Sequence, residues 1–194
     1  MDRALAESWR DRFFDTVGSD EFAPELKASS LDGRLMDWTR VLTEVVVSTS
    51  QAHGWVAAAK GHRLDRMPEV REEYLGIDAM AFEPRDAPWL FPVAAMELEN
   101  SRSDDRIAYS LWKILNLRTR LGVVFCYRPS AADGAVLARC LGRSVVQSMD
   151  LANRVGLPGE VLVSVGYRNQ AETFPYGFFK WWRLNANVGA FEQF

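Results

Sequence analysis

Two apolar runs, EYLGIDAMAF at 73–82 and WLFPVAAMEL at 89–98, are separated only by EPRDAP. No other feature limits the fold as tightly. The link carries two prolines and an aspartate, residues that favour turns over helix. A connection this short cannot make a parallel crossover, so the runs predict an antiparallel strand pair.

The surrounding pattern extends that pair. MDWTRVLTEVVVSTSQAH (36–53) has helical periodicity with Gly54 as its stop, and WVAAAK (55–60) reads as a strand. SDDRIAYSLWKILNLR (103–118) predicts a helix, with Ser103 as N-cap and Asp104 and Asp105 at its positive end. GVVFCY (122–127) predicts a strand, 131–155 a long helix ending at Gly156, and GEVLVSVGY (159–167) a further strand. Strands joined through helices run parallel. The expected class is therefore α/β, with a mixed central β-sheet flanked by helices. Before it, Trp9, Phe13, Phe14 and Val17 recur at helical spacing, and a turn-rich loop follows Gly18. The chain divides into an N-terminal helix and loop (1–35), an α/β core (36–168) and an aromatic C-terminal extension of the same domain (169–194).

Composition narrows the function. The 194 residues, 48% of them hydrophobic, suffice for one well-filled core. No apolar run reaches the roughly 18 residues of a membrane helix, so no membrane partner is expected. The start MDRALAESWRDRFFD lacks an apolar signal core, which predicts a cytoplasmic protein. Cys126 and Cys140 have no CxxC partner and read as free thiols. A net charge of −3 excludes general polyanion binding but not a local basic face. Only His53 and His62 are present, so a metal site would have to use carboxylate oxygens. There is no GxxxxGK[ST], GxGxxG or GxSxG motif, which weighs against NTPase, kinase, dehydrogenase and α/β-hydrolase chemistry.

Side-chain alternation places Val93, Ala95, Glu97 and Glu99 on one face of strand 89–99, and Ala94, Met96 and Leu98 on the other. Glu97 and Glu99 then project side by side, Cα atoms about 6.6 Å apart, at the carboxyl end of the strand. Asp78 is the only charge in LGIDAMAF. Buried carboxylates are costly unless paired or metal-bound, and grouped ones raise one another's pKa. A divalent Mg²⁺ or Mn²⁺ relieves both, taking two or three carboxylates and completing its shell with water. The competing reading has Glu97 and Glu99 solvated and Asp78 paired with an arginine. On the next helix Arg106, Lys113 and Arg120 fall at steps of seven, near one face, opposite the apolar Ile107, Leu111, Ile114 and Leu115. That stripe is either a solvated cationic face or a cation source beside the acids.

The arrangement of GID at 76–78 and ELEN at 97–100, followed by a helix and a strand, resembles the PD-(D/E)XK nuclease superfamily, the restriction-endonuclease-like fold. Glu44 on the preceding helix matches the acid that many members carry there, and the resemblance spans roughly residues 36–128. It implies a restriction-endonuclease-like core and Mg²⁺-dependent phosphodiester cleavage of nucleic acid. Asp78 and Glu97 would hold the metal, with Glu44 and Glu99 in the same acid group. The family's usual lysine falls where this chain has Glu99. Lys113 on the next helix is the first substitute and Lys60 the second. Without a substitute, the domain would be an inactive nuclease-like interaction or regulatory module.

Two segments bear on partners. The tail interleaves Phe174, Tyr176, Phe178, Phe179, Trp181 and Trp182 with Lys180 and Arg183. Such a mixture can stack bases, or it can form a core or homodimer contact. The loop KGHRLDR (60–66) is read as solvated, or as a nucleic-acid contact.

Overall fold

Seven strands form one sheet whose spatial order follows the chain. They are β1 (Val56–Ala59), β2 (Ala79–Phe82), β3 (Pro92–Leu98), β4 (Leu121–Arg128), β5 (Glu160–Tyr167), β6 (Phe179–Asn185) and β7 (Ala190–Gln193). The computed structural model describes residues 4–194. β1, β2 and β3 are antiparallel, β3, β4 and β5 parallel, and β5, β6 and β7 antiparallel again. Helix α4 (Asp104–Leu115) carries the chain from β3 to β4, and α5 (Ala131–Ser144) begins the passage from β4 to β5. The short link makes the antiparallel pair and the helical crossovers make the parallel ones, as connection length requires.

Helices cover both faces. On one lie α1 (Leu5–Val17), α2 (Ala23–Asp32) and α3 (Leu35–Ala52). Trp9, Phe13, Leu26, Leu42 and Val45 from these helices pack against Ala94, Met96 and Phe125 of the sheet. On the other face, Ile107, Leu111 and Ile114 of α4 and Leu137 and Leu141 of α5 pack against Met80, Ala95, Val124 and Val163. Alternation from Ala94 onward produces this division, sending Ala94, Met96 and Leu98 to the first layer and Ala95 to the second. Val93, expected beside Ala95, instead joins the first layer where the register shifts opposite Ala81 and Phe82. The fold is thus α/β, with a mixed sheet between two helical layers. No helix among the described residues is long and apolar enough to cross a membrane.

The structure departs from the sequence reading in several places, and in the tail it selects the core over the stacking surface. The run 73–82 is strand only from Ala79. Its first half is a turn, with Leu75 and Gly76 at φ of 56° and 65°. Periodicity over so short an apolar run cannot tell a strand from a tight turn leading into one. The segment 131–155 is not one helix: α5 stops at Ser144, and α6 (Leu151–Val155) begins again after Asp150, whose side chain accepts from the Asn153 N–H as an N-cap. The loop after Gly18 contains α2, which starts with Pro24 near its first turn and ends at Gly33 in the left-handed region. Ser103 does precede α4, but its side chain makes no capping bond. The aromatic tail supplies β6 and β7, and Phe178, Phe179, Trp181 and Trp182 are buried there. Only Tyr176 of that group is largely exposed, so the tail aromatics are core rather than a stacking surface.

Candidate active site

The register of the first hairpin brings the principal acids together. Ala79 lies opposite Met96 in the antiparallel β2–β3 pair, so one step outward Asp78 lies opposite Glu97. Directly opposed residues share a face of the sheet. That face is the one covered by α4, as Met80 and Ala95 beside them show. Glu97 is 3% exposed, and Asp78 is half-buried, its Oδ2 accepting from the Leu98 N–H at 2.7 Å.

Helix α4 lays two polar groups on Glu97. Lys113 Nζ is 2.6 Å from Glu97 Oε1, and Ser110 Oγ donates to Oε2 at 3.2 Å. Lys113 is held from a second side, donating to the Gly76 carbonyl at 2.9 Å. The Leu75–Gly76 turn aims that carbonyl. Leu75 is the only non-glycine residue with positive φ among the described residues, and its side chain is 79% exposed, so packing does not repay the strain. Strained backbone of this kind concentrates at functional sites.

The electrostatics follow from burial. Desolvation pushes the Glu97 carboxyl up to about 7; the Lys113 contact and the Ser110 hydroxyl pull it down, while Asp78 pushes it further up. Asp78 is likewise raised, mainly by burial, against the Leu98 N–H and Lys113, which lower it. Glu97 Oε1 is buried and has no well-directed hydrogen bond, although the Lys113 ammonium lies within ion-pair distance. An anionic oxygen in that condition, beside a second carboxylate, suits a hard divalent cation. Among the described residues no three His, Cys, Asp or Glu side chains are grouped as a metal-ligating set. Asp78 and Glu97 are the two carboxylates of this group that could contribute to a cation's shell, and water would have to supply the remaining ligands.

The other residues singled out from sequence lie around this pair rather than in it. Glu99 follows the end of β3; its N–H donates to the Phe125 carbonyl and its Oε1 accepts from the Ser101 N–H at 2.7 Å. It is close enough to Asp78 to raise that carboxyl. Glu44 projects from α3 in the opposite layer, where its Oε2 is 3.0 Å from His62 Nε2. Lys60 is exposed just past β1. The supposed stripe on α4 breaks up: Arg120 lies beyond the helix and pairs with Glu83 at 2.7 Å, Arg106 is exposed, and only Lys113 reaches the acids. Sequence reasoning passed over Ser110. It falls on the apolar face with Ile107, Leu111 and Ile114, and a hydroxyl there is the sign of a buried partner. It also passed over Tyr109 and Trp112, which are 60% and 53% exposed and stack on each other at 5.9 Å beside Lys113.

The Glu97 shift has a measurable consequence. A carboxyl whose folded-state pKa is raised from 4.5 to about 7 binds its proton more tightly in the folded chain. Its stabilising contribution is full below pH 4.5 and is lost as pH rises through 7, by about 3 kcal/mol at 1.36 kcal/mol per pH unit. The raised Asp78 adds to the slope with the same sign. With a chelator present, urea unfolding between pH 5 and pH 8 should show the parent chain losing about 2.5 kcal/mol relative to Glu97→Gln. Parallel stability curves would mean that Glu97 is ionised with no such penalty.

No family model matches the chain, and no curated protein matches it significantly.

Proposed function

We propose that this chain is a metal-dependent phosphodiesterase of nucleic acid, built on a restriction-endonuclease-like core in which the catalytic lysine has moved from the strand to the following helix. The observation that carries this reading is the convergence of three charges: Asp78 opposite Glu97 on adjacent strands, with Lys113 Nζ 2.6 Å from Glu97 Oε1. The succession α3, β1, β2, β3, α4, β4, with its antiparallel meander followed by a parallel strand, supports the same likeness.

Asp78 and Glu97 would hold Mg²⁺ or Mn²⁺, which would neutralise charge on a phosphoryl oxygen and make a bound water acidic. Glu97 keeps Lys113 in place at the mouth of the site. Lys113, gripped also by the Gly76 carbonyl, presents an ammonium where the scissile phosphate would lie. Its charge favours the pentacoordinate anion over the resting diester. Tyr109 and Trp112 offer an exposed aromatic ledge beside that ammonium, on which unpaired bases can stack. The two free thiols suit a reducing, cytoplasmic compartment.

The test is incubation of purified protein with supercoiled plasmid and with single-stranded DNA and RNA, in Mn²⁺, Mg²⁺ or chelator. Metal-dependent cleavage that disappears in Glu97→Gln is the expected result. If parent and variant behave alike, the phosphodiesterase reading fails. Binding of nucleic acid without cleavage would favour an inactive nuclease-like module, a reading to which Glu99 at the usual lysine position also points.

A further inference from the structure

Beyond the acid pair, the carboxyl edge of the sheet holds a second polar feature. A cavity of about 510 Å³ opens there, lined by Arg102, Arg128 and Arg168 together with Asn100, Leu35 and Tyr127. No aspartate or glutamate is among its lining residues. Arg102 follows β3, Arg128 ends β4 and Arg168 follows β5, so three neighbouring parallel strands each deliver a guanidinium to one place. The chain as a whole is acidic, so this gathering of three guanidinium groups, two of them without an ion-pair partner among the described residues, is a local feature of the strand ends.

The three arginines differ in their attachments. Arg128 is 9% exposed in its side chain, pairs with Asp104, and donates to the Tyr127 carbonyl at 2.8 Å. It forms a fixed wall. Arg102 and Arg168 have no ion-pair partner among the described residues and are exposed at the rim. Two unneutralised guanidinium groups match the charge of a phosphate monoester, close to −2 at neutral pH, better than the single charge of an internal diester. Their planar forks also suit bidentate contact with phosphate oxygens. Asn100 adds an acceptor, since its Oδ1 is buried without a partner while its Nδ2 donates to Thr39 Oγ1 at 2.6 Å. A sugar hydroxyl could fill that position.

Asn100 is three residues beyond Glu97, a span of at most about 11 Å. The cavity and the Asp78–Glu97–Lys113 group thus lie along the same carboxyl edge of the sheet, within reach of one bound strand. We propose that the cavity receives the terminal phosphate of a nucleic-acid strand and makes the site an end-recognising one; this rests on the nucleic-acid reading above.

Short labelled single strands of one sequence test it, carrying a 5′-phosphate, a 3′-phosphate, or hydroxyls at both ends. Affinity is read by anisotropy with a chelator present, so that binding is measured apart from cleavage. One phosphorylated form should bind about tenfold or more tightly than the hydroxyl form, the scale of one well-placed charged hydrogen bond. Arg168→Ala and Arg102→Ala should each remove most of that advantage. Arg118→Ala, at the opposite edge of the sheet, should retain it, and so should Glu97→Gln. Equal binding of all three strands would overturn the proposal. So would inorganic phosphate competing at the same concentration as the phosphorylated strand, because free phosphate would then be the ligand. A retained end preference in a protein that cleaves nothing would remove the catalytic reading and leave the end-binding cavity standing.

Discussion

Lys113→Met should lower the metal-dependent cleavage rate by at least about a hundredfold, with strand binding changed far less. Positioned electrostatic groups at a reacting centre contribute on the order of 10²–10³ in rate when single donors are removed. Lys113 is such a group, held by Glu97 at 2.6 Å and by the Gly76 carbonyl at 2.9 Å. Methionine keeps most of the alkyl stem, which α4 buries beside Ser110 and Ile114, and deletes only the charge. Loss of the ammonium also removes what holds the Glu97 carboxyl down, so that group should protonate more readily and grip a cation less well. The remaining activity of the variant should therefore recover partly at higher pH. A wild-type rate in Lys113→Met would exclude this lysine, and the search would pass to Lys60. A variant that fails to fold is recognised by its far-UV spectrum, and Lys113→Arg then separates charge from packing.

Trp181→Ala should cost about 3–5 kcal/mol of folding stability, the range for large aromatic truncations in a core. Trp181 is 2% exposed on β6 and lies at the centre of an aromatic cluster, with ring centroids 5.2 Å from Phe13 and 5.6 Å from Phe125. These contacts tie the N-terminal helix, the central strand β4 and the tail strand into one layer. Its indole N–H has no hydrogen-bond partner, so packing alone accounts for its contribution. Trp181→Phe should accordingly cost less than about 1.5 kcal/mol, because it keeps most of the volume and removes an unsatisfied donor. For a chain of this size a loss of 3–5 kcal/mol lowers the melting temperature by about 6–20 °C. If Trp181→Ala melts with the parent chain, the tail is not part of the cooperative core.

The amino-acid order by itself determined the central part of the fold. The six-residue link between two apolar runs could only join neighbouring antiparallel strands, and the amphipathic stretch at 103–118 could only be a helix lying on them. Alternation likewise placed Glu97 on the same face as Ala95, though that α4 covers this face is known only from the packed sheet. What it did not determine were distances between elements and the local turns that precede them. Glu97 and Glu99 are equivalent in the alternation, yet the strand ends between them, so one becomes a buried partner of Lys113 and the other binds a neighbouring backbone N–H. Arg106, Lys113 and Arg120 are equivalent at steps of seven, but α4 ends at Leu115, and only one of them meets the acids. The strained turn at Leu75–Gly76 and the meeting of Arg102, Arg128 and Arg168 from three strand ends have no local signature at all. Local propensity and periodicity act over a few residues, whereas these features come from the register of strands far apart in the chain, which only the packed sheet fixes.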